Sequence, residues 1–278
     1  MNRYEDINDI SDGKLYTGKD EVLIGTNGCA GCSHCCRSDM GHSIVLTPYD
    51  IYELTKASGK TFDELMVAFI IELSVIDEIV LPHLKMDEGC KFLDNGRCSV
   101  HAHRPGICRL FPLGRIYQEN GFKYFIQTKE CPCENKTPVV IDEWLGIENM
   151  EKNTEFINKW HRFIKFEQKK VKTIREMSGY EIARIRDMAE EELEVYAGII
   201  GEDEDYDELK LGYRESKMKE LEQICDYSVK EVMKSALSIL FMTPYDTEAD
   251  FYEQFDVRLK KCIGVLRKIN CNKSIEIY

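Results

Sequence analysis

Nine of the twelve cysteines and five of the six histidines lie between Cys29 and Cys133, and that clustering is where chemistry is to be sought. The first group reads Cys29-Ala-Gly-Cys32-Ser-His-Cys35-Cys36. A C-x-x-C-x-x-C run can wrap three thiolates around one point, because two-residue spacers of Gly, Ser and Ala let the backbone turn its N–H groups toward the sulfurs. A loop of small and polar residues offers no apolar core for cysteines to fill, so the spacing reads as metal ligation. Neighbouring side chains of an extended backbone point to opposite sides. Cys35 and Cys36 are therefore expected either to serve two different ions or to leave Cys36 as a spare thiol.

The second group runs from Cys90 through Cys98 to Cys108, with Asn95-Gly96 between the first two and Arg104 and Arg109 flanking the third. Asn-Gly tolerates the two positive φ angles of a type I′ turn, so a hairpin is expected with Asp94 facing Arg97, Leu93 facing Cys98 and Cys90 facing His101. That register starts the two sulfurs on opposite faces, and the hairpin must twist or end early to bring both to one ion. Arg104 and Arg109 are placed to offset thiolate charge. The last pair is Cys131-Pro132-Cys133, and a remote cysteine followed by proline suits completion of a cluster because proline fixes the chain direction and has no N–H to compete.

These motifs resemble the YkgJ-type cysteine-cluster family of zinc- or iron-chelating domains, over roughly residues 25 to 135. The match lies in CxxCxxCC at Cys29 to Cys36, Cys-x-Phe-Leu-x-x-Gly-x-Cys at Cys90 to Cys98, and Arg-Pro-x-x-Cys-Arg-x-Phe-Pro at Arg104 to Pro112. The resemblance implies Cys29, Cys32, Cys35, Cys36, Cys90, Cys98, Cys108 and Cys131 as the metal ligand set. A tyrosine commonly stands at the place of His101 in that family, so this histidine is a departure; His34, His42 and His103 read as solvated or supporting imidazoles. Eight thiolates suit zinc or an iron-sulfur cluster, in one site or two. Spreading their charge over more atoms tilts the reading slightly to iron-sulfur.

The same segment is similar to part of flagellin lysine N-methylases, which implies methyl transfer from S-adenosylmethionine. The sequence shows neither the strand, glycine-rich turn and helix of a Rossmann-type methylase nor the C-x3-C-x2-C of radical enzymes. Three function classes thus stand side by side: a cytosolic iron-sulfur or zinc protein with a redox or structural role, a protein lysine methylase, and a zinc-stabilised module whose acidic helices bind another protein. Whether the chain is an enzyme stays open.

The elements that must hold these residues follow from pattern. Ser43 to Leu46 reads as a strand, Thr47-Pro48 opens a helix that Gly59 stops near Ser58, and Thr61-Phe-Asp-Glu64 is a capping box for the next helix. Asn120-Gly121 marks a second hairpin. Beyond residue 134 the apolar positions recur at three and four residues: Phe156 to Ile174, Ile182 to Ala189, Leu221 to Ala236, and Phe251 to Leu266 in a last helix from about Thr247. Cys225, Cys262 and Cys271 stand alone there as small apolar fillers or a terminal thiol. The expected fold is α+β: an N-terminal extension over 1–28, a small cysteine-rich metal-binding domain of short strands and helices over 29–133, and an all-helical region over 134–278.

With 278 residues the chain can bury a core without crosslinks. A net charge of −13 disfavours a nucleic-acid backbone as partner and leaves the acidic helical region as the surface for a protein. No run approaches the roughly 20 apolar residues of a membrane helix, and the polar, acidic start does not read as a signal peptide. The expected location is the cytoplasm, where thiols stay reduced.

Overall fold

The computed structural model describes residues 7–26, 32–37, 44–87, 89–131, 133–200, 219, 223 and 226–269, with side chains of the long helix described to residue 176. Cys29, His42, Cys225 and Cys271 lie outside the described residues. The chain divides into two compact units, one of Met1–Ile164 with Leu237–Leu259 and one of Lys165–Ala236 with Lys260–Tyr278. Among the described residues no helix is long and apolar enough to cross a membrane.

Among the described residues the strands all lie in the first unit, as four antiparallel pairs. β1 (Glu21–Gly25) pairs with β8 (Thr137–Val140), β2 (Ile71–Ile76) with β3 (Ile79–Leu84), β4 (Leu93–Asp94) with β5 (Arg97–Cys98), and β6 (Leu113–Gln118) with β7 (Gly121–Ile126). The fold is therefore mixed as expected, but the chain beyond residue 134 is not all helical, since β8 closes on β1 with Val139 opposite Val22. Val22, Ile24, Leu110, Leu113, Tyr124, Ile141 and Leu145 form one buried core around that pair. Predicted strand Ser43 to Leu46 is reduced, over its described residues, to a bridge between Val45 and His83, with Leu46 N–H on Pro82 O and Leu84 N–H on Ile44 O.

The helix Pro48–Ser58 forms as its sequence directs. Thr47 caps it, Pro48 sits in the first turn, and Gly59 closes it at φ 67°. Its Tyr49 and Tyr52 pack into an aromatic group with Phe156, Tyr245, Phe251, Tyr252 and Phe255, at ring separations of 4.7 to 6.4 Å. The Thr61–Glu64 capping box opens the helix Phe62–Val67.

Two turns differ from expectation. In the second predicted hairpin Gln118 faces Gly121, so the turn is Glu119-Asn120 and Gly121 opens the returning strand at φ 119°. The β2–β3 hairpin turns on Asp77-Glu78, both at positive φ without a glycine, a conformation that carries no Asn-Gly signal. The periods at Phe156 to Ile174 and Ile182 to Ala189 belong to one helix, Met150–Ile200. The last helix spans Phe251–Leu266, later than Thr247, because Asp250 accepts from Glu253 N–H at its start.

In the second unit Val171, Ile174, Val229, Val232, Cys262 and Leu266 are buried, and so is Glu167. Its Oε1 has no hydrogen-bond partner, and burial pushes its pKa up to about 8. The unfolded glutamate ionises near 4.5, so between these values the folded state holds the extra proton and stability falls as pH rises, levelling above pH 8. Glu167→Gln should flatten that slope, removing a loss on the order of 4 kcal/mol between pH 5 and 8.5. Denaturant unfolding at the two pH values checks it, and parallel slopes for the two proteins would contradict it.

Candidate metal centre

Three backbone devices bring the cysteines together. The first is a single 3-10 turn, His34–Cys36, entered through Ser33 at φ 46° and closed by Cys36 N–H on Ser33 O at 3.0 Å. Successive side chains of such a turn stand about 120° apart rather than 180°, and Cys35 and Cys36 both line one cavity, with the Cys35 thiol donating to Cys36. The expectation that these two point apart is thereby corrected.

The second device links the distant groups. Cys36 O accepts from Cys90 N–H at 2.9 Å, and Gly89, at φ 91°, lets the chain approach Cys36. The Asn95-Gly96 turn has both residues at positive φ and pairs Asp94 with Arg97 and Leu93 with Cys98, as predicted. The ladder then ends after two pairs, and Leu93 N–H on Cys90 O folds Cys90 back in a turn. That early end is what puts Cys90 and Cys98 on one cavity.

The third device holds Cys108. Asp50, fully buried in the Pro48–Ser58 helix, accepts with one oxygen from Gly106 N–H at 2.6 Å and with the other from Thr47 N–H at 2.7 Å and Thr47 Oγ1 at 2.9 Å. Burial pushes its pKa up against those hydrogen bonds and the charge of Arg109. One turn along the same helix, Glu53 takes His103 Nδ1 at 3.1 Å and Arg109 Nη2 at 3.3 Å. Arg109 also donates to the carbonyl oxygens of Ala102, Arg104, Leu145 and Gly146. It is therefore a buried clamp across two segments; of the two arginines expected beside the thiolates, Arg104 lines the thiol cavity and Arg109 does not.

Cys32, Cys35, Cys36, Cys90, Cys98, Cys108 and Cys131 all line one cavity, seven of the eight residues singled out as ligands; Cys29 is not described. Cys133 does not line it, and its Sγ lies 3.9 Å from Asn135 O. The walls are Ile44, Leu84, Phe92, Val100, Phe111 and Trp144, and among the lining residues there is no carboxylate. His34 and His101 are also on the lining. Burial, then Arg104, Arg97 and Arg109, push the pKa of His101 down, so it is a neutral imidazole beside the Arg104 guanidinium. His103 is taken by Glu53.

The electrostatics show how close the thiols are. Cys35, Cys90, Cys98 and Cys108 all have raised pKa values: for Cys35 the largest cause is the hydrogen bond it donates to Cys36, and for the others burial. The charge of other cysteines adds to each rise, and Cys36 is lowered by its bond to Cys35. Arg104 opposes the rise at Cys35 and Cys98. An uncompensated set of buried thiols resists ionisation, and a soft cation is what relieves that cost. The donor set thus fits zinc or iron. Among the described residues, however, no three Cys, His, Asp or Glu side chains converge as tightly as one ion requires.

Asp50, Glu53 and Trp144 were not singled out from the sequence. Thr47-x-x-Asp50 has capping-box spacing, and Glu53 follows three residues later on the same helix face, so a signal for the first two was present. Trp144 lies beyond the cysteine segment, where nothing local points to it.

Antiparallel pairs, short helices and a cavity lined by seven cysteines together mark out a small cysteine-rich domain. Residues 28–135 match the model of the CxxCxxCC family, whose description reads "Putative zinc- or iron-chelating domain". The match covers the cysteine segment and not the helical remainder. No curated protein and no solved structure matches the chain.

The two capping boxes make a controlled comparison. Asp50→Ala strands the half-buried Gly106 and Thr47 N–H groups and should cost about 2–3 kcal/mol, whereas Thr61→Ala, on an exposed helix start, should cost about 1 kcal/mol. Urea midpoints of the two variants measure the difference, and equal losses would show that Asp50 does not hold the Cys108 segment.

Proposed function

We propose that this chain is a cysteine-held metal protein of the cytoplasm, with Cys29, Cys32, Cys35, Cys36, Cys90, Cys98, Cys108 and Cys131 as the ligand set and an iron-sulfur cluster favoured over zinc. The observation that carries it is the meeting of seven of those cysteines, drawn from four stretches of chain, on one cavity. Thiolate is the preferred donor of zinc and of iron-sulfur clusters and a poor one for magnesium or calcium. When bound, the cluster would supply one-electron redox chemistry, and zinc would supply structure.

The chain's own residues do the rest. With metal bound, Arg104 would offset thiolate charge at Cys35 and Cys98, while apolar side chains line much of the remaining wall. Asp50, Glu53 and Arg109 fix the backbone on which Cys108 stands. The preference for iron-sulfur rests on charge: apolar walls tolerate a cluster, whose charge is spread, better than a compact tetrathiolate zinc site.

Protein purified without oxygen tests this. The expected result is brown protein with visible thiolate-to-iron absorbance and bound iron and sulfide. Colourless protein with stoichiometric zinc would replace the cluster by a zinc site, and metal-free protein that takes up neither on reconstitution would end the chelating reading. Methyl transfer to a lysine-bearing protein, dependent on S-adenosylmethionine, would instead favour the methylase resemblance.

A further inference from the structure

We infer that the cavity holds one centre of several metal atoms, shared by both cysteine groups, rather than two separate sites; this rests on the chelating function proposed above. Two separate sites would require the cysteines to sort into two sets. The backbone brings them into one. The turn at His34–Cys36 sends Cys35 and Cys36 to the same cavity, removing the one local reason to assign them to different ions. The hydrogen bond from Cys90 N–H to Cys36 O ties the first group directly to the second. The shortened β4–β5 hairpin then turns Cys90 and Cys98 onto that same space, where Cys108 and Cys131 also lie.

Number argues the same way. A single tetrahedral ion takes four thiolates, and seven line this cavity. Seven sulfurs on one cavity exceed what one such ion can bind. A polynuclear centre spans such a set without pulling the segments together, because its metal atoms are linked to one another and each needs only some of the surrounding sulfurs. Neither group could then hold metal without the other: the first group contributes Cys32, Cys35 and Cys36 among the described residues, and the hairpin and short helix contribute Cys90, Cys98 and Cys108.

The test uses the full chain, reconstituted either with ferrous iron and sulfide or with zinc alone. The expected result is more than one metal atom per chain, a metal–metal shell in X-ray absorption, and complete loss of metal in both Cys36→Ser and Cys98→Ser. Cys133→Ser, changed outside the cavity, should keep its full metal content. One metal atom per chain, the lack of a metal–metal shell, or half the metal retained in each variant would overturn the single shared centre while leaving chelation intact. No metal in the unaltered chain with either reagent would overturn chelation itself. Stoichiometry and the absorption shell are read on the unaltered chain, so they decide the matter even where a serine variant misfolds.

Discussion

Two carboxylates one helical turn apart hold the cysteine domain in shape. Asp50 and Glu53 leave the same face of the Pro48–Ser58 helix and between them bind Gly106, His103 and Arg109. Burying two acids is costly unless their oxygens find donors, and Thr47 together with the His103–Arg109 segment provides them. Arg109 passes the constraint on to Leu145 and Gly146, so residues far apart in sequence share one polar network. On the adjoining face of the helix Tyr49 and Tyr52 press into the aromatic group with Phe156 and Phe251. The helix thus joins an apolar core to a polar clamp, and Cys108 is carried on the clamp.

Against this fixed wall the other cysteine segments are lightly built. Cys35 and Cys36 stand on a single turn, and Cys90 and Cys98 on a hairpin of two residue pairs. Such short elements bury little and cannot be stable by themselves. Their order comes from their neighbours: the hydrogen bond between Cys36 and Cys90, the wall of Ile44, Leu84 and Phe92, and, under the proposed function, the bound metal.

Local chemistry made much of this legible in the sequence. Thr47-Pro48 and Thr61-x-x-Glu64 marked helix starts that form as read, and Asn95-Gly96 set the β4–β5 register residue by residue. Misreadings arose where the deciding partner is remote or the signal degenerate. An extended backbone was assumed for Cys35-Cys36, and a turn of polar residues reversed the geometry. Arg109 beside a cysteine looked like a counter-charge, yet its partners are carbonyls and a carboxylate up to 56 residues away. The β1–β8 pair, joining residues 21–25 to 137–140, has no turn to announce it.

One wall of the cavity is an indole. Trp144 lines it with Nε1 donating to Phe111 O at 3.2 Å, while the only other tryptophan, Trp160, is buried against Phe163 and Phe241. The protein therefore contains its own optical gauge. Whatever enters the thiol-lined space meets one of the chain's two indoles directly, while the other stands in the aromatic core.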